Sequence, residues 1–382
     1  MKKKVILVIY KELEEFEYEK YGGCIFEKYF DVEVWSLPSI FSDSDVRAKE
    51  LFSEQKDIKS LREFARILNR YSRKQTFLSF MFPPTHRKTF YIEAIVSIMG
   101  FQYSMSYCQP YLSEWNSGSL KEELSERKPD YVNAVLNALF PPTFNFVATK
   151  KSFLEFPSIR SIKKQNNVLI HTLDYDVYLK VRNEQDRLIG DKYIVFIDEG
   201  YVDNYDFNVF NIKQPFKKAD EYYIPIRKFF NYIEKMMGYR IIIAEHPRSY
   251  YSDRTIYGNR VMIRGQTARL IRDAEMVLCH ASMAIDYNIL FKKKFIVLYM
   301  NEIKRFYEWK NFYLPLFHSL NIKGLNISEK YNENMITNSI VYGDSKYCNK
   351  HKQQFIKAKG TREELFYEIV SEYILKQWET RN

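Results

Sequence analysis

The chain has 382 residues, enough for two domains at roughly 150 residues each. Hydrophobic residues make up 46% and charged residues 28%, with 31 Tyr and 29 Phe to bury, and only 12 Gly and 12 Pro; disordered, collagen-like and low-complexity readings are excluded. No apolar run approaches the ~18 residues of a membrane-spanning helix, and Val5 to Tyr10, behind Lys2, Lys3 and Lys4, is too short for a signal peptide. The net charge of +10 is spread along the chain and mixed with acids; the longest basic clusters, Lys2–Lys4 and Lys292–Lys294, have three members. That pattern fits a solvated basic surface, compatible with weak attraction to an anionic membrane face, better than the concentrated stripe of a nucleic-acid module. Cys24, Cys108, Cys279 and Cys348 show no CxxC pairing and fit reduced thiols in a cytosolic protein.

In chain order, Val5 to Tyr10 reads as a buried strand and Val32 to Leu37 as a second, with a Glu-rich helical stretch between. Apolar residues three and four apart (Leu51, Ile58, Leu61, Phe64, Leu68) predict helix within Val46 to Tyr71. Gln75 to Phe82 is a strand stopped by Pro83 and Pro84. Thr89 to Met99 is a helix ended by Gly100, and Phe101 to Tyr107, Phe144 to Thr149 and Asn167 to Leu173 are further strands. The pattern restarts with strand Lys192 to Ile197, helix Tyr223 to Met237 and strand Arg240 to Ala244. Strands Val261 to Ile263, Met276 to Leu278 and Phe295 to Tyr299 follow, separated by helices Thr267 to Arg272 and Ser282 to Phe291, with a last helix from Thr361 to Gln377. Strands alternating with helices predict mostly parallel α/β sheets. A polar segment ending in Gly190 marks the boundary, giving domains 1–185 and 186–382, the second including the terminal helix.

Ligand groups in α/β folds gather at the carboxyl ends of parallel strands. Asp198-Glu199-Gly200 ends one strand there: paired carboxylates beside a glycine can supply a general base, or simply form a polar turn. His246-Pro247-Arg248 ends another; the His can meet a phosphate and Arg248 an anionic substrate, or the His can be structural. Cys279-His280-Ala281-Ser282-Met283 ends a third, with Ser282 as N-cap of a helix whose free N–H groups face an anion; Gly265-Gln266-Thr267 is a smaller version, with Thr267 as cap. Asp43-Ser44-Asp45 and Asp174-Tyr175-Asp176 match the short DxD pattern. The first reads as a solvated turn and the second as a lining of the acceptor side. P-loop, nucleophile-elbow, zincin and dinucleotide-fold motifs are absent.

An acidic-acidic-Gly motif, then His-Pro, then Ser resembles bacterial sialyltransferases and polysialyltransferases. The stretch from Tyr193 to Tyr299 also resembles GT-B transferases of bacterial surface polysaccharides. The resemblance covers the second half of the chain. It implies a GT-B fold, two Rossmann-like domains facing each other across a catalytic crevice: an acceptor-side domain, then a nucleotide-sugar-binding one. It further implies an inverting, metal-independent transferase that moves a nonulosonic acid (sialic, legionaminic or pseudaminic type) from its CMP donor to a glycan of capsule, O-antigen or lipooligosaccharide. Glu199 would be the base on the acceptor, Asp198 the alternative. His246 would neutralise the departing phosphate, Ser282 would bind it, and Arg248 or Arg264 would face the sugar carboxylate. No cofactor is implied beyond the CMP-sugar substrate. The expected location is the cytoplasm or the cytoplasmic face of the inner membrane, with the basic aromatic segment Lys304 to Phe317 the place to look for membrane contact. Two other donors fit the same His-and-acid pattern, CMP-Kdo and CDP-glycerol. A different class, a non-catalytic protein whose basic surface meets nucleic acid or anionic lipid, leaves the three strand-end motifs without a purpose.

Overall fold

The computed structural model describes residues 2–41, 51–81, 87–107, 135, 137–149, 166–202, 214–247, 249, 251–306 and 308–380. They form two compact units, one up to Asp176 together with the chain from Lys357 onward, the other from Val177 to Ile356.

In the first unit β1 (Lys4–Ile9), β2 (Asp31–Ser36), β3 (Gln55–Asp57), β4 (Thr76–Met81), β5 (Gln102–Tyr107), β6 (Phe144–Val147) and β7 (Asn167–Leu169) make one parallel sheet. Its order is β3-β2-β1-β4-β5-β6-β7. The apolar run of β1 shows why a parallel sheet buries both faces: Val5, Leu7 and Ile9 enter one core, Ile6 and Val8 the other. The expected long helix within 46–71 is shorter: Ser60 accepts a hydrogen bond from the Glu63 N–H and starts a helix at Leu61–Leu68, preceded by β3; the part before residue 51 lies outside the described residues.

The terminal helix corrects the expected domain division. It spans Phe366–Glu379 and places Phe366, Ile369, Val370, Ile374 and Trp378 against β1, β4 and β6 of the first sheet, not in the second unit. Its periodicity revealed an apolar face but not which sheet the face would cover. Asp176, read as an acceptor-side residue, is committed here instead. Its buried carboxylate accepts the Phe366 backbone N–H at 2.8 Å, one of the orphan donors at the helix start, and lies 3.6 Å from His171 Nδ1. Asp176→Ala is expected to lower stability by about 1–2 kcal/mol, read from denaturant midpoints of the full chain.

In the second unit β8 (Tyr193–Ile197), β9 (Arg240–Glu245), β10 (Met262–Arg264), β11 (Met276–Cys279), β12 (Lys294–Tyr299) and β13 (Leu325–Asn326) are parallel in the order β10-β9-β8-β11-β12-β13; β14 (Val341–Tyr342) pairs antiparallel with β12. All five residues of β8 are buried, as the centre of a sheet covered on both faces requires. The chain runs outward from β8 to β9 and β10, then returns to add β11 on the other side of β8. The gap between β8 and β11 is therefore the topological switch point, where α/β sheets leave room for a ligand at the carboxyl ends. The segment from Lys304 to Phe317 carries the 3₁₀ turn Ile303–Arg305, the π-helical turn Trp309–Tyr313 and the start of helix Leu314–Leu320. Tyr313, Leu316 and Phe317 are buried within the unit, while Phe306, Trp309 and Phe312 are half-buried. Among the described residues no helix is long and apolar enough to cross a membrane.

Candidate active site

Three of the strand-end motifs converge at the carboxyl ends of β8, β9 and β11. Asp198 leaves β8 with its N–H still bonded to the Ala244 carbonyl of β9 (3.0 Å). Gly200 turns away at φ +64°, a left-handed conformation that glycine adopts without strain. Its N–H donates to Asp198 Oδ1 at 2.9 Å, so the Asp-Glu-Gly sequence makes an Asx-type turn. Asp198 is 2% exposed and also accepts from Tyr251 Oη (2.5 Å), Tyr257 Oη (2.8 Å) and the His246 N–H (3.4 Å). Its carboxylate is filled by donors and ties the His246 loop to the end of β8.

Glu199 points elsewhere. Burial pushes its carboxyl up to about 8, aided by the nearby Glu308 and Asp198 charges, while the Ser282 hydroxyl reaches it and opposes the shift. Two separate motifs thus bring Glu199 and Ser282 close together at the switch point between β8 and β11. Ser282 is not the N-cap of the following helix. That helix is Ile285–Leu290 with Ala284 as N-cap, and Ser282 Oγ accepts from the Ala284 N–H at 3.2 Å in the turn before it. Thr267 likewise is the first residue of helix Thr267–Asp273, and Gln266 occupies the cap position. At Ser282 a two-residue turn delays the helix start, and at Thr267 the helix begins one residue earlier than a Thr267 cap would place it; side-chain preference alone does not locate either start.

Behind Glu199 lies a buried hydroxyl network that the sequence reading missed. Tyr201 donates to Glu308 Oε2 at 2.8 Å and lies 3.2 Å from Tyr313 Oη. Burial raises the Glu308 carboxyl to about 7, with the Tyr201 bond opposing. Tyr313 Oη is 3.2 Å from His280 Nδ1, which also meets the Leu298 carbonyl at 3.0 Å, and His280 Nε2 meets Tyr222 Oη at 3.1 Å. His280 is 0% exposed, and burial drives it down to about 4, so the ring is neutral near pH 7. The expectation that His280 touches a ligand is therefore corrected: both its nitrogens bond to the protein, and it holds the wall of the site. Glu308 lies inside the basic aromatic segment Lys304 to Phe317, where no motif set it apart; its place beside Tyr201 follows from the fold-back of the chain after β12.

Other expected residues are placed as follows. His246 is half-buried and Pro247 exposed; the Pro247 carbonyl accepts from Arg264 Nε at 2.9 Å, which puts a guanidinium beside the His-Pro loop. Gly265, at φ +73°, follows Arg264, and Met283 is exposed beside Ser282. Asp174, half-buried, stands in the first turn of helix Leu173–Val181, whose first residues through Asp176 belong to the first unit. Arg248, Tyr250 and the Asp43-Ser44-Asp45 motif lie outside the described residues. Among the described residues no group of three or more His, Cys, Asp or Glu is placed to hold a metal ion.

No protein-family profile and no curated protein sequence matches the chain. Solved structures do. The UDP-GlcNAc 2-epimerase of Methanocaldococcus jannaschii is similar at 13% identity and TM-score 0.51, over 97% of this chain and 99% of that one. A variant of the wall teichoic acid polymerase TagF is similar at 11% identity and TM-score 0.56, over 100% of this chain and 90% of that one. The fold is of the GT-B type, two parallel-sheet α/β domains.

Proposed function

We propose that the chain is a glycosyltransferase acting on a cytidine-nucleotide donor, and that it moves a nonulosonic acid from CMP to a bacterial surface glycan in the cytoplasm or at the inner membrane's cytoplasmic face. The observation that carries this reading is the meeting of Glu199 and Ser282 across the switch point of the second unit, with the His246 loop bound to the same strand end through Asp198. Glu199 takes the proton of the acceptor hydroxyl; its raised affinity for protons suits a base working near neutrality. The His246 side chain and the Ser282 hydroxyl face the donor phosphate, and Arg264 supplies a cation for the sugar carboxylate. A single phosphate needs no chelating metal, so no metal or other cofactor enters the reaction. The second unit binds the nucleotide and the first the acceptor, with Asp174 the candidate contact there; nucleic acid is not a partner.

A second reading, transfer of glycerol phosphate from CDP-glycerol, is favoured by the similarity to TagF, also solved after a soak with CDPG (TM-score 0.55, 11% identity). One experiment separates these from the rest: a thermal-shift screen of the full chain against CMP, CDP, UDP, GDP and ADP. A ligand of the folded state at a hundred times its dissociation constant adds ~2.7 kcal/mol. The expected result is stabilisation by the cytidine nucleotides and its loss in His246→Ala, after which labelled CMP-nonulosonic acid and CDP-glycerol are tried as donors. Stabilisation by UDP or GDP alone discards the donor class.

A further inference from the structure

The carboxyl ends of β9 and β10 border an open cleft of about 360 Å³ lined by Glu245, Ser249, Tyr251, Arg254, Met262 and Arg264, among others. It adjoins the candidate active site: Tyr251 lines it and donates its hydroxyl to Asp198, and Glu245 directly precedes His246. Its distinctive feature is a half-sheltered ion pair. Glu245 is 3% exposed, its Oε1 held 2.5 Å from Arg254 Nη2, and that nitrogen also meets the Met262 carbonyl at 2.8 Å. The Arg254 side chain is 52% exposed, and its Nε and Nη1 have no protein partner among the described residues. Ser249 is fully buried beside Tyr251, and no hydrogen bond of normal geometry satisfies its hydroxyl among the described residues.

A carboxylate can only accept hydrogen bonds and a guanidinium can only donate them. Side by side they match a planar edge that presents one donor and then acceptors. Cytosine has that edge, an amino group at C4 followed by the ring nitrogen N3 and the carbonyl O2. Uracil reverses the first two positions and would set its O4 against the carboxylate. Adenine has the donor and one acceptor but a C–H where cytosine has O2, so it leaves one guanidinium donor unused. Resting on the proposed use of a nucleotide donor, we infer that Glu245 and Arg254 read the base of that donor as cytosine. Glu245 accepts from the 4-amino group, the free Arg254 donors meet N3 and O2, and Tyr251 and Met262 border the ring. The pair is then a specificity determinant distinct from the groups that face the phosphate.

Isothermal titration of the full chain with CMP, UMP, AMP and a CMP analogue lacking the 4-amino group tests this, on the native sequence and on Glu245→Gln. The native protein is expected to bind CMP about tenfold or more tighter than each of the others, the cost of leaving a buried polar partner unmatched. Glu245→Gln, whose amide can turn either face, is expected to bring CMP and UMP within about threefold of each other. Equal binding of CMP and its des-amino analogue by the native protein overturns the inference while leaving a nucleotide donor intact, and it does so even if the variant fails to fold. A CMP preference unchanged in a folded Glu245→Gln overturns it as well. Absence of binding by every nucleotide overturns this inference and the proposed function together.

Discussion

Glu199→Gln is expected to reduce transfer by about 100-fold to 10,000-fold, the contribution of a positioned general base, with nucleotide binding little changed. Glutamine keeps the shape and can still meet the Ser282 hydroxyl, but it cannot take a proton. The same group makes two pH predictions. With a carboxyl raised to about 8, the basic form grows as pH rises, so kcat/KM of the native protein climbs to a plateau above about pH 8. Stability runs the other way. The folded protein keeps a proton that the unfolded chain releases above its ordinary value near 4.5, so the unfolded state binds fewer protons between those limits. The stability contributed is present below about 4.5 and is lost as pH rises toward 8, by at most about 1.4 kcal/mol per pH unit. Glu199→Gln removes that slope and is expected to be the more stable protein at pH 8. Denaturant titrations at pH 5 and pH 8 measure it; equal slopes in both proteins would sink the assignment of a half-buried, proton-holding Glu199.

Asp198→Ala is expected to cost about 3–5 kcal/mol, because it strips a common acceptor from buried Tyr251 and Tyr257 hydroxyls and from the Gly200 and His246 N–H groups. Activity should fall with it, since the His246 loop loses its tie to β8. The comparison with Glu199→Gln separates the two acids: one variant loses turnover and keeps its fold, the other loses stability first. Equal thermal midpoints for Asp198→Ala and the native chain would show that the carboxylate does not organise the strand ends.

The adjacent acids show how far the sequence could be read. That Asp198, His246 and Ser282 stand at strand ends follows from local signals, because apolar runs stop at polar, turn-forming residues. Which acid faces Ser282 does not follow. Side chains alternate along an extended chain, but the turn at Gly200 resets the alternation, and only the neighbouring strands decide where each carboxylate goes. His280 illustrates the same limit: a histidine beside a serine at a strand end looks like a ligand group until Tyr222, Tyr313 and the Leu298 carbonyl close on it.

By itself the sequence determined the two α/β halves, the strands that carry chemistry and the polar motifs that follow them, since these depend on residues within a few positions of one another. Tertiary structure alone decided three things. The strand order puts the switch point between β8 and β11. The terminal helix packs against the first sheet rather than the second. Glu308 comes to lie near Glu199 from more than a hundred residues away. Each rests on contacts between segments distant in the chain, and their energy comes from burial and hydrogen bonds that no local pattern encodes.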